Sequence, residues 1–367
     1  MRVTRLILRD FRCYESADVA FGPGLTVIHG PNGAGKTNLL EALYFGCTAR
    51  SCRTNNEREM LRFGARATRV LVSGVDVDGT HELAVGFQAG EPKRITADGA
   101  PVDRLLDTPH RPLICVFLPD RLELVKGPPG LRRAHIDQVV AGLWPARAAT
   151  RRAYAQALAQ RNALVARVRS GRAGRDSLSA WDLELATHGI ALRDDRAAAA
   201  ALLTAPFADH AAALGLSGQA SLSYRPRSSA ATPAELAAEL ADRVEVDLDR
   251  GFTSHGPHRD ELLMRSDARD LRSYGSQGEQ RMALLALLLA ERDALGAARE
   301  RAPLMLLDDV MSELDPERRE RLAAALRAGG QAVVTTTDAE HVPGAGADEV
   351  AKVAVAAARV VCAPVAA

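Results

Sequence analysis

The alternation of apolar and polar residues in the first third of the chain is typical of β-strands with one buried face. Three segments alternate in this way and are predicted strands of an antiparallel sheet: residues 3–8, 70–77 and 82–87. Asp78-Gly79 separates the last two, and this dipeptide favours the tight turn of a β-hairpin. Short uninterrupted apolar runs, which predict strands buried on both faces, occupy residues 25–28, 113–118, 304–307 and 332–336. Residues 353–361 are predicted to form one further strand at a sheet edge.

The middle of the chain has a helical periodicity instead. Residues 131–165 predict mostly helix, and residues 178–213 predict a long helix rich in Ala and Leu. Residues 232–235 (Thr-Pro-Ala-Glu) form a capping box with proline at the first helical position. The helix that starts there is predicted to run to about Arg250, because Gly251 then ends it.

This change of periodicity predicts two domains, which a chain of 367 residues can accommodate. Residues 1–119 and 251–367 carry most of the strand patterns and are predicted to form one head. Residues 120–250 are predicted to form a mainly helical insertion, or arm. Strand patterning resumes at residues 261–264, and the second boundary is therefore placed before them.

Residues 30–37 contain the pattern G-x-x-x-x-G-K-T, between a short apolar strand and an amphipathic segment. This strand–loop–helix context is what a phosphate-binding P-loop requires. Its glycines let backbone N–H groups converge on phosphate oxygens, and the helix N-terminus adds a positive dipole end. Lys36 is predicted to reach the β- and γ-phosphates of ATP, and the Thr37 hydroxyl to hold Mg²⁺. The predicted nucleotide-binding residues of this loop are Gly30, Pro31, Asn32, Gly33, Ala34, Gly35, Lys36, Thr37 and Asn38.

The buried strand at residues 304–307 ends in two carboxylates, Asp308 and Asp309. A P-loop nucleotidase needs such carboxylates beside its loop. Asp308 is predicted to bind Mg²⁺ directly or through water, and Asp309 to orient or deprotonate the attacking water. Lys36 and Asp309 are therefore predicted catalytic residues. The alternative interpretation is a strand followed by an acidic turn.

Ser276, Gln277 and Gly278 stand before a long apolar-rich helix predicted to extend through Leu295. This arrangement resembles the signature loop of ABC-type ATPases, in which a serine hydroxyl and a helix N-terminus bind the γ-phosphate held by the opposing subunit. In that interpretation Ser276 is catalytic and all three residues bind nucleotide. The alternative is that Ser276 only caps the helix. The order of P-loop, signature and Asp-Asp strand along the chain favours the first interpretation.

Composition and charge limit the range of functions. The net charge is +1 and aromatic residues make up 4%, which indicates neither an overall positive field nor a base-stacking platform for single strands. No apolar stretch reaches the roughly 18 residues that span a bilayer, so no membrane association is predicted. The five cysteines are scattered without metal-ligand spacing, which favours a reducing, cytoplasmic location.

One stretch is locally basic, because residues 138–175 contain many arginines and no Asp or Glu. Guanidinium groups suit phosphate oxygens, so DNA contact is predicted for four of them: Arg147, Arg151, Arg152 and Arg161. Protein contact and a simply solvated surface are the alternatives. A second candidate surface is the N-terminal set of Arg2, Arg5, Arg9 and Arg12. Contact with nucleotide is an alternative role for Arg9 or Arg12.

These motifs resemble those of the RecF family, bacterial recombination and gap-repair ATPases related to SMC-type ABC heads. The resemblance covers nearly the whole chain and is carried chiefly by residues 8–14, 30–38, 122–127, 256–260, 276–281 and 307–315. It implies an α/β fold, namely a P-loop ABC-type ATPase head with an added helical insertion arm. The head would combine a mixed sheet and flanking helices with an antiparallel β lobe.

The resemblance also implies a function. Two copies would form an ATP-dependent homodimer on DNA and sandwich two ATP·Mg²⁺, each bound by Lys36 of one copy and Ser276 of the other. Weak, slow hydrolysis would open this clamp and release duplex DNA or a junction of single and double strands. The implied role is recombinational gap repair and replication restart, with help to RecA loading together with RecO and RecR.

Two positions depart from the pattern of ABC-type ATPases. Glu279 stands where their signatures carry Gln, and Thr337 stands where transporter ATPases place a switch histidine. The second departure removes an imidazole that senses the γ-phosphate and agrees with slow hydrolysis. His258 and Arg259 have two interpretations, a place near the nucleotide interface or a structural turn.

Three other functions are alternatives to this one. The ATPase subunit of a different ABC system, such as a transporter, predicts the switch histidine that this chain lacks. A small-molecule P-loop kinase predicts a substrate lid and no Ser-Gln-Gly helix start. A non-enzymatic scaffold with a vestigial P-loop is disfavoured by the intact residues Lys36, Thr37, Asp308 and Asp309.

Overall fold

The structure is a computed structural model that describes residues 1–105 and 108–362. Its strands are β1 (Arg2–Phe11), β2 (Tyr14–Ala20), β3 (Leu25–His29), β4 (Ala67–Asp76), β5 (Gly79–Gln88), β6 (Arg94–Ala97), β7 (Ala100–Pro101), β8 (Ile114–Phe117), β9 (Ala220–Arg225), β10 (Glu261–Ser266), β11 (Arg269–Asp270), β12 (Leu304–Leu307), β13 (Ala332–Thr336), β14 (Ala351–Ala356) and β15 (Arg359–Cys362). Its helices are α1 (Lys36–Thr48), α2 (Glu123–Lys126), α3 (Pro129–Leu143), α4 (Ala148–Arg169), α5 (Leu178–Ala213), α6 (Pro233–Ala241), α7 (Val244–Arg250), α8 (Leu271–Tyr274), α9 (Gln277–Arg299) and α10 (Pro316–Ala328). Among the described helices, none combines the length and apolarity that crossing a bilayer requires.

The chain forms two compact units. The first unit contains residues 1–120 and the residues from 299 onward, and the second unit contains residues 121–298. The sequence places the second boundary at residue 251, but residues 251–298 pack within the second unit. The reason is that β10 pairs with β9, so that Leu262 lies opposite Tyr224. The assignment of residues 251–298 to the ATPase head stays a prediction.

The first unit is built from two sheets. One is antiparallel, with the strand order β2-β1-β4-β5-β6-β7. The other has the order β15-β14-β3-β13-β12-β8 and is parallel apart from β15, which pairs antiparallel with β14. Because β3, β13 and β12 are adjacent, the carboxyl ends of the three strands lie side by side. The P-loop follows the first of these strands, and the two aspartates follow the last.

Helix α1 contacts strands of both sheets of this unit. Phe45 of the helix, Leu6 and Val72 of the antiparallel sheet, and Ile28 and Val333 of the parallel sheet belong to one buried core. Burial of such apolar side chains contributes roughly 1.5–3 kcal/mol each. The helix that follows the P-loop is therefore packed against both sheets.

The second unit is mainly helical. Its longest helix, α5, packs against α4 and α6, and against a three-stranded antiparallel sheet with the order β11-β10-β9. Helices α4, α5 and α6 share one apolar cluster that includes Tyr154, Leu185 and Leu240. Thr232 caps α6, since its Oγ1 accepts a bond from the backbone N–H of Glu235 at 3.2 Å. The Glu235 carboxylate reaches back to the backbone N–H of Ala231 at 2.7 Å, one residue before the position that a capping box uses.

Candidate nucleotide site

The loop between β3 and α1 has a conformation that two of its glycines make possible. Gly30 has a φ of +150°, and a Cβ at this position would lie 2.0 Å from the carbonyl oxygen of Val355. Gly35 has a φ of +112°, and a Cβ there would lie 2.6 Å from the hydroxyl of Tyr14. A side chain at either glycine would collide with its surroundings. The backbone can therefore form the close turn that a phosphate cradle needs.

Lys36 is the first residue of α1, and its side chain folds back over the loop. Its Nζ donates hydrogen bonds to the carbonyl oxygens of Gly30 at 2.8 Å and Pro31 at 3.0 Å. Gly35 supplies no side-chain cap to the helix, and the first turn contains no acidic residue. The ammonium group and the helix N-terminus thus face the same loop, and both attract anions.

Thr37 and Asp308 meet, although they are 271 residues apart in the sequence. The Thr37 hydroxyl lies 2.9 Å from both carboxylate oxygens of Asp308. Thr335 lies on β13, the strand between β3 and β12. It donates a bond from Oγ1 to Asp308 Oδ1 at 2.6 Å. A hydroxyl and a carboxylate are oxygen ligands of the kind that Mg²⁺ prefers, so this donor set fits the predicted metal.

Burial raises the pKa of the Asp308 carboxyl, and the neighbouring Asp309 raises it further, while Thr335 and Thr37 act in the opposite direction. A buried carboxylate beside a second acidic group favours its neutral form unless a cation lies nearby. A divalent cation supplies that positive charge. The electrostatics of Asp308 therefore agree with a metal-ligand role.

Asp309 has an unusual backbone and an unused acceptor. Its φ is +47°, in the left-handed region, and its backbone N–H donates to Thr335 Oγ1 at 2.9 Å. Its Oδ1 atom is buried and has no hydrogen-bond partner within the described part of the chain. Strained residues with spare hydrogen-bonding capacity are common at functional sites. A carboxylate at such a site can accept a proton or orient a water molecule.

These groups line one cleft of about 190 Å³ in the first unit. Its lining residues are Asn32, Gly33, Gly35, Lys36, Thr37, Asn38, Arg53, Asp308, Asp309 and Thr335. The structure thus brings together the P-loop and both aspartates, as the sequence predicts. It also adds Arg53 and Thr335, for which the sequence offers no motif.

Arg53 is held by the polar side of α1. Its Nη1 donates to Asn38 Oδ1 at 3.1 Å and to Glu41 Oε2 at 3.2 Å. Glu41 is fully buried and also binds Arg12, whose Nη2 donates to Oε1 at 2.8 Å. Arg12 is therefore held in an ion pair behind the loop, and Arg53 is the arginine that lines the cleft. A polar segment without periodicity, such as residues 51–58, gave no signal for this role.

Ser276 belongs to the second unit, where it caps α9. The Ser276 backbone N–H donates to Glu279 Oε2 at 2.8 Å, and the Glu279 backbone N–H donates to Ser276 Oγ at 3.3 Å. Ser217 Oγ donates to the other carboxylate oxygen of Glu279 at 3.0 Å. The hydrogen bond from the Ser276 backbone lowers the pKa of Glu279, so this carboxylate is charged at neutral pH. Ser276 and Gln277 are exposed at the helix start, next to Gly278. Ser276 therefore caps the helix. The signature role of Ser276, Gln277 and Gly278 stays a prediction.

The Gly-Pro-His-Arg-Asp segment at residues 256–260 makes structural contacts inside the second unit. His258 Nδ1 lies 2.7 Å from the Tyr154 hydroxyl, and Nε2 lies 3.0 Å from the Thr253 carbonyl oxygen. Burial lowers the pKa of His258 to about 4, so the ring is neutral near pH 7. The Asp260 carboxylate accepts a bond from the backbone N–H of Arg227 at 2.6 Å. These contacts favour the structural-turn interpretation.

The four arginines predicted to contact DNA have different surroundings. Arg147 donates to Asp195 at 3.0 Å and lies 4.3 Å over the Trp144 ring, yet 46% of its side chain is exposed. Arg151 lies 3.2 Å from Asp137, with 58% of its side chain exposed. Arg152 is exposed on the same helix, α4. These three are accessible to a phosphate.

Arg161 is not accessible. Its side chain is fully buried, and its guanidinium donates to Asp182 at 2.6 Å and to Asp247 at 2.7 Å. It also donates to Thr253 Oγ1 at 2.7 Å. A DNA phosphate could reach it only if two buried ion pairs broke, and breaking one such pair costs about 3–5 kcal/mol. Arg161 is a structural residue that joins α4, α5 and α7, and the predicted DNA surface must exclude it.

A family model described as an AAA domain matches residues 5–93. A protein from Myxococcus xanthus named DNA replication and repair protein RecF is 38% identical over 361 residues, covering 95% of this chain and 94% of that protein. A protein of the same name from Anaeromyxobacter sp. is 40% identical over 364 residues, covering 95% of this chain and 96% of that protein.

Solved structures confirm the predicted α/β fold of an ABC-type ATPase head. A structure described as recombination mediator protein RecF with ATP in the RecFOR pathway has a TM-score of 0.87 at 24% identity, covering 99% of this chain and 98% of that chain. An SMC head bound to the C-terminal winged-helix domain of ScpA has a TM-score of 0.61 at 17% identity, covering 99% and 98%. Given the identity and coverage of its curated relatives, this chain belongs to the RecF family of DNA replication and repair proteins.

Proposed function

We propose that this protein is an ATP-gated DNA clamp of recombinational gap repair and replication restart. The observation that carries the proposal is the convergence of Lys36, Thr37, Asp308 and Asp309 in one cleft. Membership of the RecF family supports a role in DNA replication and repair, and a relative of the same fold is named as an ATP complex. RecO and RecR are proposed partners, since the pathway named with that relative is RecFOR. Help to RecA loading is proposed from the family resemblance.

Separate roles are proposed for the residues of the cleft. The backbone of residues 30–38 would hold the phosphates, and Lys36 would exchange its two loop carbonyls for phosphate oxygens. Thr37 and Asp308 would hold Mg²⁺, which neutralises phosphate charge when bound. Asp309, which also lines the cleft, would orient the attacking water or accept its proton. Slow, weak hydrolysis is proposed, because Thr337 replaces the switch histidine of transporter ATPases.

A second copy of the chain would complete the site. Ser276, Gln277 and Gly278 stand at the N-terminus of α9, and the serine and glutamine side chains are exposed there. A helix N-terminus is suited to an anion, so it can approach a γ-phosphate presented by another copy. ATP then acts as a dimerisation ligand, and hydrolysis opens the dimer.

DNA contact is proposed for Arg147, Arg151 and Arg152 around the start of α4. Their exposure and the absence of acidic residues in residues 138–175 support it, although Arg147 and Arg151 would have to exchange carboxylates for phosphates. Replacing all three with Gln should reduce the slope of log affinity against log salt by about 2.7, since each phosphate contact contributes about 0.9. Arg225, Arg243 and Arg250, exposed arginines of the same unit, give the matched triple control. An unchanged slope would move the DNA surface elsewhere.

A DNA titration with and without ATP tests the proposal most directly. Duplex, single-stranded and gapped DNA would each be titrated with wild-type protein and with Lys36→Met. The clamp predicts that ATP tightens DNA binding in the wild type and has no effect in the variant. Binding that ignores ATP in both proteins would reject the gating, whereas ATP binding without any DNA affinity would reject the clamp.

A further inference from the structure

Outside the nucleotide cleft, three possible metal ligands converge in the first unit. Asp76 ends β4, His81 lies in β5, and His110 lies in the segment before β8. Their ligand atoms all lie within 4.8 Å of one another. Asp76 Oδ1 is 3.1 Å from His81 Nε2, and Asp76 Oδ2 is 3.1 Å from His110 Nδ1. One carboxylate thus faces a ring nitrogen of each histidine.

His81 also has the outer partner that metal-binding histidines usually have. Its Nδ1 lies 2.8 Å from Asp98 Oδ2, and Asp98 Oδ1 accepts the backbone N–H of Glu82 at 2.7 Å. A carboxylate on one ring nitrogen fixes the tautomer and leaves the lone pair of the other nitrogen for a metal. In that tautomer the contact from Nε2 to Asp76 joins two electron-pair donors. A cation satisfies both, either a metal ion between them or a proton on Nε2.

We propose that Asp76, His81 and His110 form a binding site for Zn²⁺ or a similar borderline divalent ion. Two imidazole nitrogens and one carboxylate oxygen suit Zn²⁺, whereas Mg²⁺ and Ca²⁺ prefer oxygen ligands alone. Three protein ligands leave a fourth tetrahedral position for water. Zinc bonds of about 2.0–2.1 Å place neighbouring ligand atoms roughly 3.3 Å apart. Each histidine nitrogen lies 3.1 Å from a different oxygen of Asp76, so the carboxylate must turn to present one oxygen to both.

Binding requires a modest rearrangement. The two imidazole rings are stacked, with centroids 3.7 Å apart and an interplanar angle of 10°. A metal lies in the plane of each ring that binds it, so the rings must tilt apart. His110 lies in a connecting segment and His81 is fixed in a strand, so His110 should supply most of this movement. The bound ion would then tie the β4–β5 hairpin to the segment that leads into β8.

The charged groups around Asp76 define the competing interpretation. The Met1 amino group and Arg301 Nη1 each lie 3.8 Å from Asp76 Oδ2, and Asp78 Oδ2 lies 3.9 Å from His110 Nδ1. Together these groups can form an ion cluster that needs no metal. The ion-cluster interpretation predicts no saturable Zn²⁺ binding that depends on the histidines.

Calorimetric titration of the chelator-treated full chain with Zn²⁺ distinguishes the two. Excess Mg²⁺ in the buffer would fill the oxygen ligands of the nucleotide cleft. The proposal predicts one saturable Zn²⁺ site per chain, weakened at least about tenfold in His110→Asn and in Asp76→Asn. Two controls should bind as the wild type does: His188→Asn, a partly exposed histidine paired with Glu184 on α5, and Cys13→Ser, an exposed thiol.

Co²⁺ provides a second readout, which does not depend on affinity alone. Wild-type protein should develop the intense visible absorption of tetrahedral Co²⁺, and His110→Asn should not. If Asp76→Asn fails to fold, His110→Asn and this spectrum still decide the question. Absent Zn²⁺ binding, or equal binding by wild type and His110→Asn, would overturn the proposal.

Discussion

The starts of α1 and α9 are both assigned to phosphate in the proposed function, but their local chemistry is opposite. Helix α1 begins at a glycine in the left-handed region, without a side-chain cap and without an acid in its first turn. Helix α9 begins with a reciprocal pair of bonds between Ser276 and Glu279, and this acid lies in the first turn. The N-terminus of α1 is thus uncapped (a bare helix start), whereas the N-terminus of α9 is capped by the Glu279 carboxylate (a covered helix start).

This difference has an energetic consequence. A missing side-chain cap costs a helix about 0.5–2 kcal/mol, which the buried face of α1 can offset. An uncapped N-terminus keeps its N–H groups available to an anion, so the P-loop is a preformed phosphate site within one chain. At α9 the Glu279 carboxylate already occupies part of that position. ATP should therefore bind first to the P-loop of a single copy, and the α9 end should join later.

The largest effect is expected from Lys36→Met, which removes the cation from the bare helix start. The β/γ-phosphate contact disappears, and hydrolysis should fall by at least about 100-fold, as when other transition-state donors are removed. Steady-state ATPase activity and nucleotide binding measure the change. Lys93→Met, a lysine paired with Glu57, is the control. Normal hydrolysis by Lys36→Met would end the assignment of the P-loop.

Asp308 and Asp309 should fail at different steps. Asp308→Ala removes the carboxylate that Thr37 and Thr335 hold, so ATP binding that depends on Mg²⁺ should be lost. Asp309→Asn keeps the size of the side chain and leaves Thr37, Asp308 and Thr335 intact, so the variant should bind ATP. It should hydrolyse ATP poorly and accumulate as a dimer. Binding and single-turnover assays separate the two steps. Identical defects in the two variants would contradict the division of roles.

Much of the first unit could be predicted from the sequence, because its motifs and strands are encoded by residues that are close together along the chain. The glycine pattern and the buried runs of four to five apolar residues mark the P-loop and the strands beside it. The fold prediction is confirmed by the solved relatives. The prediction of one edge strand over residues 353–361 is wrong in detail. The structure has two strands there, β14 and β15, separated by a turn at Ala357 and Ala358. Both have positive φ, 48° and 58°, and neither is the glycine that signals such a turn.

Features that depend on distant partners could not be predicted. Arg161 looks like a surface arginine in sequence, but its carboxylates come from residues 21 and 86 positions away. The predicted helix at residues 233–250 is divided into α6 and α7, and no proline or glycine marks the break. The Ser276 capping box could be recognised from Ser-x-x-Glu spacing, but the spacing alone does not distinguish a cap from a signature.

Ser276→Arg tests whether the covered helix start also serves a second copy. The bulky cation would stand where a small hydroxyl should approach the γ-phosphate, so the variant should bind ATP through its own P-loop and remain a monomer. Analytical ultracentrifugation with ATP and Mg²⁺ measures this. Ser217→Ala, which removes a neighbouring bond to Glu279 without adding bulk, is the control. A Ser276→Arg protein that still dimerises on ATP would reject the sandwich.

The smallest effect is expected from Glu279→Gln, which makes the start of α9 more like that of α1. Loss of a negative charge near a helix N-terminus costs about 0.3–1 kcal/mol, so the variant should be slightly less stable at neutral pH. The folded-state pKa of Glu279 is lowered, so its stabilisation is present above its ordinary value of 4.5 and is lost as the pH falls below it. Thermal unfolding should therefore show a stability difference between the two proteins at neutral pH that shrinks on acidification.

The same substitution should have the opposite effect on dimerisation. In the proposed dimer, Glu279 of one copy lies beside the γ-phosphate bound by the other, and two negative groups repel. Repulsion of roughly 0.5–1.4 kcal/mol at a partly exposed site corresponds to an ATP-dependent dimer about two- to tenfold tighter in the variant. Glu245→Gln, an exposed acid paired with Arg175, should leave the dimer unchanged. If Glu279→Gln weakens the dimer instead, the cap itself presents Ser276 to the phosphate, and the carboxylate is a positioning group rather than an obstacle.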